Sequence, residues 1–204
     1  WWVTLESRTG TDEIMLLVHN DQGDLYVVPW DGDSFDGTRD LLASTATTSS
    51  TEQHFDFAWE TVSGGGLLGY GEGVGNYVYR DYDGTNWGTE TAIGLSDGVD
   101  SLRHCSDPTS DHIGVIWQDD GNDVQVRVWD GGGLLTSPPS EEPGTEDNGA
   151  NNRNVDCAWY SSTEALFGFV DANQLTMDYV TFTKPNTWST AALTSASNSA
   201  AWAD

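Results

Sequence analysis

The chain has 204 residues, with 33 Asp and Glu against seven Lys and Arg, a formal net charge of -26, and Lys184 as its only lysine. A surface this acidic repels nucleic acid and anionic lipid, and both are excluded as partners. Ten Trp, seven Tyr and six Phe speak against disorder, which pairs strong acidity with few aromatics, so the carboxylates read as a solvated coat over a packed core.

No stretch carries the roughly 18 to 20 apolar residues that a membrane-spanning helix needs, and no basic region precedes an apolar run, so direct membrane insertion is excluded. The chain opens on Trp1-Trp2 without Met and reads as a processed or excised piece. It carries no Asn-x-Ser/Thr sequon, so nothing marks a glycosylated ectodomain. An acidic coat almost free of lysine resembles those of proteins from high-salt or calcium-rich surroundings.

In chain order, the first predicted elements are VTLE (3 to 6), IMLLV (14 to 18) and NDQGDLYVVPWDG (20 to 32), followed by Phe35. The same succession returns as DFAWE (56 to 60), LLGY (67 to 70) and EGVGNYVYRDYDG (72 to 84) before Trp87, and as LRHCS (102 to 106), IGVIW (113 to 117) and DDGNDVQVRVWDG (119 to 131) before Leu134. A fourth copy comprises DCAWY (156 to 160), LFGFV (166 to 170), ANQLTMDYVTFTK (172 to 184) and Trp188. Trp30, Tyr82, Trp129 and Phe182 align without gaps in the hairpin strand, at spacings of 52, 47 and 53.

One face of that strand carries Leu25 and Val27, Tyr77 and Tyr79, Val124 and Val126, Met177 and Tyr179, while the other is mixed. Alternation of this kind marks a half-buried strand, and the Gly, Asn and Asp before it supply a tight turn. Length differences fall in STATTSSTEQ (44 to 53) and SPPSEEPGTEDNGANN (137 to 152), so a period near one hundred overlies the shorter one, as duplication of a two-unit block would leave it.

Tandem four-stranded antiparallel units are the signature of propeller blades, each burying a face on its neighbour. The predicted fold is all-β, a β-propeller-like array of four blades (about 1–54, 55–100, 101–153 and 154–198) in one domain. SAAWAD (199 to 204) repeats the opening of DFAWE and DCAWY as the first strand of a fifth. A β-sandwich is the competing architecture. Ala200, Ala201 and Trp202 of the extra strand are the predicted assembly strand, free to close the array or to add to another chain's sheet as a ring or filament.

The run IGVIWQDDGNDVQVRVWDGGG (113 to 133) resembles blades of the six-bladed fungal and bacterial fucose-binding lectins, and also the propeller repeats of bacterial and archaeal surface proteins. The lectin resemblance implies a sugar held between adjacent blades by an Arg, a Glu and an aromatic residue. Arg80 and Arg127 occupy one matching strand position, with Trp87 and Trp188 after the turns as stacking candidates. Val28 and Val180 take that position in the first and fourth units, and no regular Glu follows, which leaves one or two such sites. YDGTNW (82 to 87) resembles the Asp-box of sialidase propellers but lacks its Ser and its Asp-x-Gly spacing.

Asp119, Asp120, Asn122 and Asp123 offer the hard oxygens that Ca2+ prefers, without the alternate Asp and the closing Glu of an EF-hand. A hairpin turn with solvated carboxylates is the favoured reading. His19, His54, His104 and His112 form no zinc spacing, and no Ser-His-Asp arrangement is argued from serine that is merely abundant. Cys105 and Cys157 admit two readings, an inter-blade disulfide or two buried thiols, since the register places them one position apart and so on opposite faces. Trp59, Trp159 and Trp202, each after an Ala, read as packing residues.

The function expected from these features is an extracellular or cell-surface, non-enzymatic structural or adhesive protein that self-associates through its terminal strand. The alternative is a lectin binding glycans between blades, with no cofactor beyond Ca2+. A glycan-processing enzyme on the same scaffold stands third.

Overall fold

A computed structural model describes residues 2–35, 39–48, 53–73, 75–94, 98–119, 121, 123–135, 155–171, 176–189 and 192–194. The described chain is all-β, in four antiparallel sheets that follow one another along the sequence. Blade 1 comprises β1 (Trp2–Ser7), β2 (Ile14–His19), β3 (Leu25–Trp30) and β4 (Asp40–Ala43); blade 2 comprises β5 (Phe55–Trp59), β6 (Gly66–Gly71), β7 (Asn76–Tyr82) and β8 (Thr91–Gly94). Blade 3 has β9 (Val99–Ser106), β10 (Ile113–Asp119) and β11 (Val124–Trp129). Blade 4 has β12 (Val155–Trp159), β13 (Glu164–Asp171) and β14 (Thr176–Thr183), with β15 (Thr187–Trp188) and β16 (Ala192–Thr194) both pairing with β14. The predicted assembly strand, Ala200, Ala201 and Trp202, lies outside the described residues.

The turn that ends each central hairpin explains the recurring bulky residue. Trp30 bridges Phe35, Tyr82 bridges Trp87 and Trp129 bridges Leu134, while Phe182 pairs with Trp188 in β14 and β15. Three of these turns share one mechanism. Asp31 Oδ1 accepts the amides of Asp33 and Ser34, Asp83 Oδ1 those of Thr85 and Asn86, and Asp130 Oδ1 those of Gly132 and Gly133, all within 3.0 Å. The glycine after each Asp takes a positive φ, 101° at Gly32, 93° at Gly84 and 91° at Gly131, which side-chain-bearing residues rarely adopt. The Trp-Asp-Gly recurrence is thus a turn requirement.

Register shows how the blades stack. Leu16, Leu68, Val115 and Phe167 are equivalent, and opposite them in the innermost strands stand Leu5, Phe57, His104 and Cys157. Each blade therefore has a rear face containing these residues and a forward face of opposite parity. Met15, Leu17, Leu25 and Val27 on the forward face of blade 1 pack with Phe55, Phe57, Trp59, Leu68, Tyr70 and Val78 on the rear of blade 2. Ala58, Leu67 and Tyr77 meet Leu102, Ile113, Val115, Trp117 and Trp129. Ile116, Val124, Val126 and Val128 meet Val155, Phe167, Phe169, Val180 and Phe182. Each large apolar side chain so enclosed contributes about 1.5 to 3 kcal/mol.

The mixed face of the hairpin strand is consequently not a solvent face inside the array. Val78, Gln125, Asp178 and Val180 are all buried, because a propeller blade is covered on both sides. Half-burial, the expectation from alternation, holds only for the rear of blade 1, where Tyr26 and Val28 are partly exposed.

Polar groups join the blades as regularly as apolar ones. The Trp59 indole donates to Glu6 O at 2.8 Å and the Trp159 indole to Cys105 O at 3.1 Å, each reaching back to the innermost strand of the preceding blade. Both recurrent Ala-Trp indoles in the described chain therefore serve packing. Asp56 Oδ2 accepts the His104 amide at 2.8 Å, blade 2 to blade 3. Lys184 Nζ, at the end of β14, donates to Asp107 Oδ2, to Ser110 Oγ at 2.9 Å and to Ser162 O at 2.8 Å, and lies 4.9 Å from the Trp159 ring centre. Burial disfavours the Asp107 charge, and hydrogen bonds from Lys184, Ser110 and Thr109 outweigh it and hold the pKa below its ordinary value.

Cys105 and Cys157 form a disulfide with Cα atoms 5.8 Å apart. They do sit on opposite faces of their own sheets, and that is why they meet: the forward face of blade 3 is turned to the rear face of blade 4. In the chain-entropy treatment, closing a loop with a sequence separation of 52 stabilises by about 4 kcal/mol. Replacing both cysteines by serine is expected to lower the unfolding free energy by that order, read from the urea midpoint together with a slope that rises as the uncross-linked chain unfolds further.

His104 is held neutral between Leu67 O, 3.2 Å from Nδ1, and the Tyr77 hydroxyl, 3.1 Å from Nε2. Burial lowers its pKa from 6.5 to about 3. As pH falls through 6.5 the unfolded chain takes up a proton that the folded one refuses until near 3, so this residue's stabilisation is complete above 6.5 and declines over that window. The slope is about 1.4 kcal/mol per pH unit. Denaturation series at pH 7 and pH 4 are expected to show a smaller acid loss in His104→Gln than in the parent chain.

Candidate functional site

Arg80 stands on the rear face of β7, opposite Leu68, and so is turned toward blade 1. Its Nη2 donates to Glu90 Oε2 at 3.0 Å and its Nη1 to Gly88 O at 3.3 Å. The Tyr70 hydroxyl, from β6 on the same face, donates to the same Glu90 oxygen at 2.6 Å. Burial first, and the bond to Glu90 second, hold the Tyr70 hydroxyl protonated well above its ordinary range.

The segment after the Asp83 turn sets this geometry. The Gly88 amide donates to Asp81 O at 2.7 Å, and a Cβ at Gly88 would fall 1.9 Å from Asp81 Oδ1. The Gly88 bond to Asp81 O brings both its own carbonyl and Glu90 to the guanidinium. The ion pair is partly open to solvent, with the Arg80 side chain 23% and the Glu90 side chain 37% exposed.

Arg80 and Arg127 are not brought together. They occupy equivalent positions at successive junctions, Arg80 facing blade 1 and Arg127 facing blade 2. Arg127 donates to Val126 O at 2.8 Å and lies 5.5 Å from the Trp117 ring centre, Trp117 being the counterpart of Tyr70. Ten residues beyond Arg127, where the second unit has Glu90, the sequence has Ser137.

Trp87 and Trp188 pack inward rather than forming a free platform. Trp87 lies 4.9 Å from Tyr82 and 6.0 Å from Phe57, half-buried against the blade 1 to blade 2 core. Trp188 lies 4.9 Å from Phe182 and 5.6 Å from Phe167, and its indole donates to Asn186 Oδ1 at 3.2 Å.

At the acidic turn, Asp119 Oδ1 accepts the amides of Gly121 and Asp123, both at 3.0 Å. In blade 1 the neutral Asn20 Oδ1 accepts Gln22 and Asp24 in the same way, both at 2.9 Å. A carbonyl oxygen suffices for this turn, so its carboxylate needs no metal to explain it. Asp120 and Asn122 lie outside the described residues, among which no group of three or more His, Cys, Asp or Glu is placed to hold a metal ion.

No protein-family model and no curated protein matches the chain. Solved structures do. The fucose-recognising lectin of Aleuria aurantia, described as a six-bladed β-propeller, is 13% identical with a TM-score of 0.60, over 94% of this chain and 61% of that one. The BP39L lectin of Burkholderia pseudomallei is 12% identical with a TM-score of 0.67, over 92% and 54%. The lectin SapL1, solved with alpha methyl fucoside, is 12% identical with a TM-score of 0.58, over 94% and 65%.

These likenesses show the fold: the four sheets are blades of a β-propeller. The chain spans 54 to 65% of the length of these three lectins. Tyr70 ionisation offers a direct check on the geometry of the Arg80 pocket. In an ultraviolet titration to about pH 11, beyond the ordinary tyrosine range, the parent chain and Tyr70→Phe are expected to give the same increment of tyrosinate.

Proposed function

We propose that this chain is a non-enzymatic, carbohydrate-binding propeller that takes a neutral sugar at the junction of blades 1 and 2, beside Arg80 and Glu90. The observation that carries this reading is the contact of guanidinium and carboxylate at a partly exposed place on the seam. A sugar hydroxyl both donates and accepts, and a cation with only donors beside an anion with only acceptors complements two neighbouring hydroxyls at once. Tyr70 and Gly88 hold the two partners in that arrangement, so ordering on binding costs little.

The likeness to three lectins supports the same reading, and a fucoside is the first ligand to try. It favours carbohydrate recognition over a purely structural or adhesive role. A secreted or surface location accords with the inter-blade disulfide, a bond that persists in oxidising compartments.

A glycan array that includes fucosides tests the proposal. Binding by the parent chain is expected, with a loss of about a hundredfold or more in Arg80→Ala and Glu90→Gln, the order expected when one partner of a hydrogen-bonded charge pair is removed. Arg127→Ala is expected to bind as the parent does. Silence across all neutral glycans, or undiminished binding by folded Arg80→Ala, would overturn it.

A further inference from the structure

The central hairpin of blade 1 carries a histidine that the seam with blade 2 encloses. His19 is the last residue of β2 and shares the forward face with Met15 and Leu17, so it is turned toward blade 2. It is 2% exposed. Trp2 and Leu25 are its partners in the adjoining strands, and its ring centre lies 5.4 Å from that of Phe55, the first residue of β5 across the seam. Its Nε2 is buried with no hydrogen-bond partner among the described residues. His104 differs, since both of its ring nitrogens have partners.

The same end of the seam carries a backbone clip. In the connection from blade 1 to blade 2, the Ala46 amide donates to Gly23 O, in the turn between β2 and β3, at 3.1 Å. The next amide, that of Thr47, donates to Gly71 O at the end of β6 in blade 2, at 2.8 Å, and the Gly71 amide donates in turn to His54 O at 2.8 Å. Two successive amides thus hold two blades together at the end of the sheets where His19 lies.

We propose that His19 is an acid-sensitive latch on the seam of blades 1 and 2, which closes over the neutral imidazole and opens when that ring takes a proton. A neutral ring can present Nε2 as a bare acceptor, whereas the charged ring must present it as an N–H. Closing the seam over the charged ring would bury both a charge and a donor without an acceptor. The charged groups that face the ring do not offset this. Burial first, then His54 and the charge at the amino terminus, lower the His19 pKa from its ordinary value, and Asp24 alone works the other way. Asp24 is already engaged, accepting from Asn20 Nδ2 at 2.9 Å and from the Tyr26 hydroxyl at 3.3 Å.

As pH falls below about 6.5 the open seam takes up a proton that the closed seam refuses, so this contribution to closure is complete above that pH and declines below it. One such histidine shifts the opening equilibrium by up to about tenfold between about pH 7.5 and about pH 5.5. The seam it governs is the one on which Arg80 stands.

Amide hydrogen exchange followed by NMR tests the latch, with rates corrected for the intrinsic effect of pH. In the parent chain the protection of the Thr47 amide is expected to fall several-fold, up to about tenfold, from about pH 7.5 to about pH 5.5, while the amides of the central strand β10 of blade 3 keep theirs. In His19→Gln the Thr47 protection is expected to stay level across the same range. Titration of the His19 ring in the parent chain gives a second reading that needs no variant, with a midpoint expected below the ordinary histidine value. Thr47 protection that does not fall overturns the proposal, as does a fall that the β10 amides share, which marks unfolding of the whole chain. An undiminished fall in folded His19→Gln, or an ordinary midpoint for the His19 ring, overturns it equally.

Discussion

A propeller blade has two apolar faces and no thickness behind which to hide either, so nothing in this chain is stable until one blade lies on another. That constraint organises the molecule. It explains why the face read from alternation as mixed is buried in blades 2 to 4, and why the indoles of Trp59 and Trp159 reach back to a neighbouring strand rather than outward. Polar side chains at the junctions also follow from it. A carboxylate such as Asp56 or Asp107 that must sit at a buried seam has to find its donors across that seam.

Position along the blade divides structure from site. The innermost strands carry the staples, namely the disulfide, the Asp56 contact and the indole bonds. The outer part of the seam is looser, and there the Arg80 guanidinium is held by a residue from the far side of a turn. Affinity for a small polar molecule belongs at such a place, where charged groups are ordered in advance and still reached by water. The backbone bond from Gly88 to Asp81 O links the two regions, returning the chain so that Glu90 meets Arg80.

The fold was legible in the sequence because its signals are local. Alternation in Leu25 to Val28, the Asp-Gly turns and the bulky residue beyond each of them recur in register, and the strands fall where those signals place them. The candidate pocket was legible only in part. Arg80 stood out by sharing a position with Arg127, but Glu90 and Tyr70 belong to no repeated pattern, and their convergence depends on a turn conformation that composition does not reveal. Trp87 was visible as a recurring aromatic, yet recurrence signals packing, and its contacts with Tyr82 and Phe57 show that it packs. The cysteines teach the converse. Opposite parity counts against pairing within one sheet and in favour of it between two stacked ones.

Lys184 offers a practical handle. It carries the chain's only lysine ammonium, with 16% of its side chain exposed and its donors engaged at Asp107, Ser110 and Ser162. Reagents that acylate lysine side chains thus have one address on this protein, at the seam of blades 3 and 4, and the engaged ammonium reacts faster when that seam opens. The rate of its modification is then a clock for separation of two particular blades, in a molecule whose remaining surface offers such chemistry no other side-chain amine.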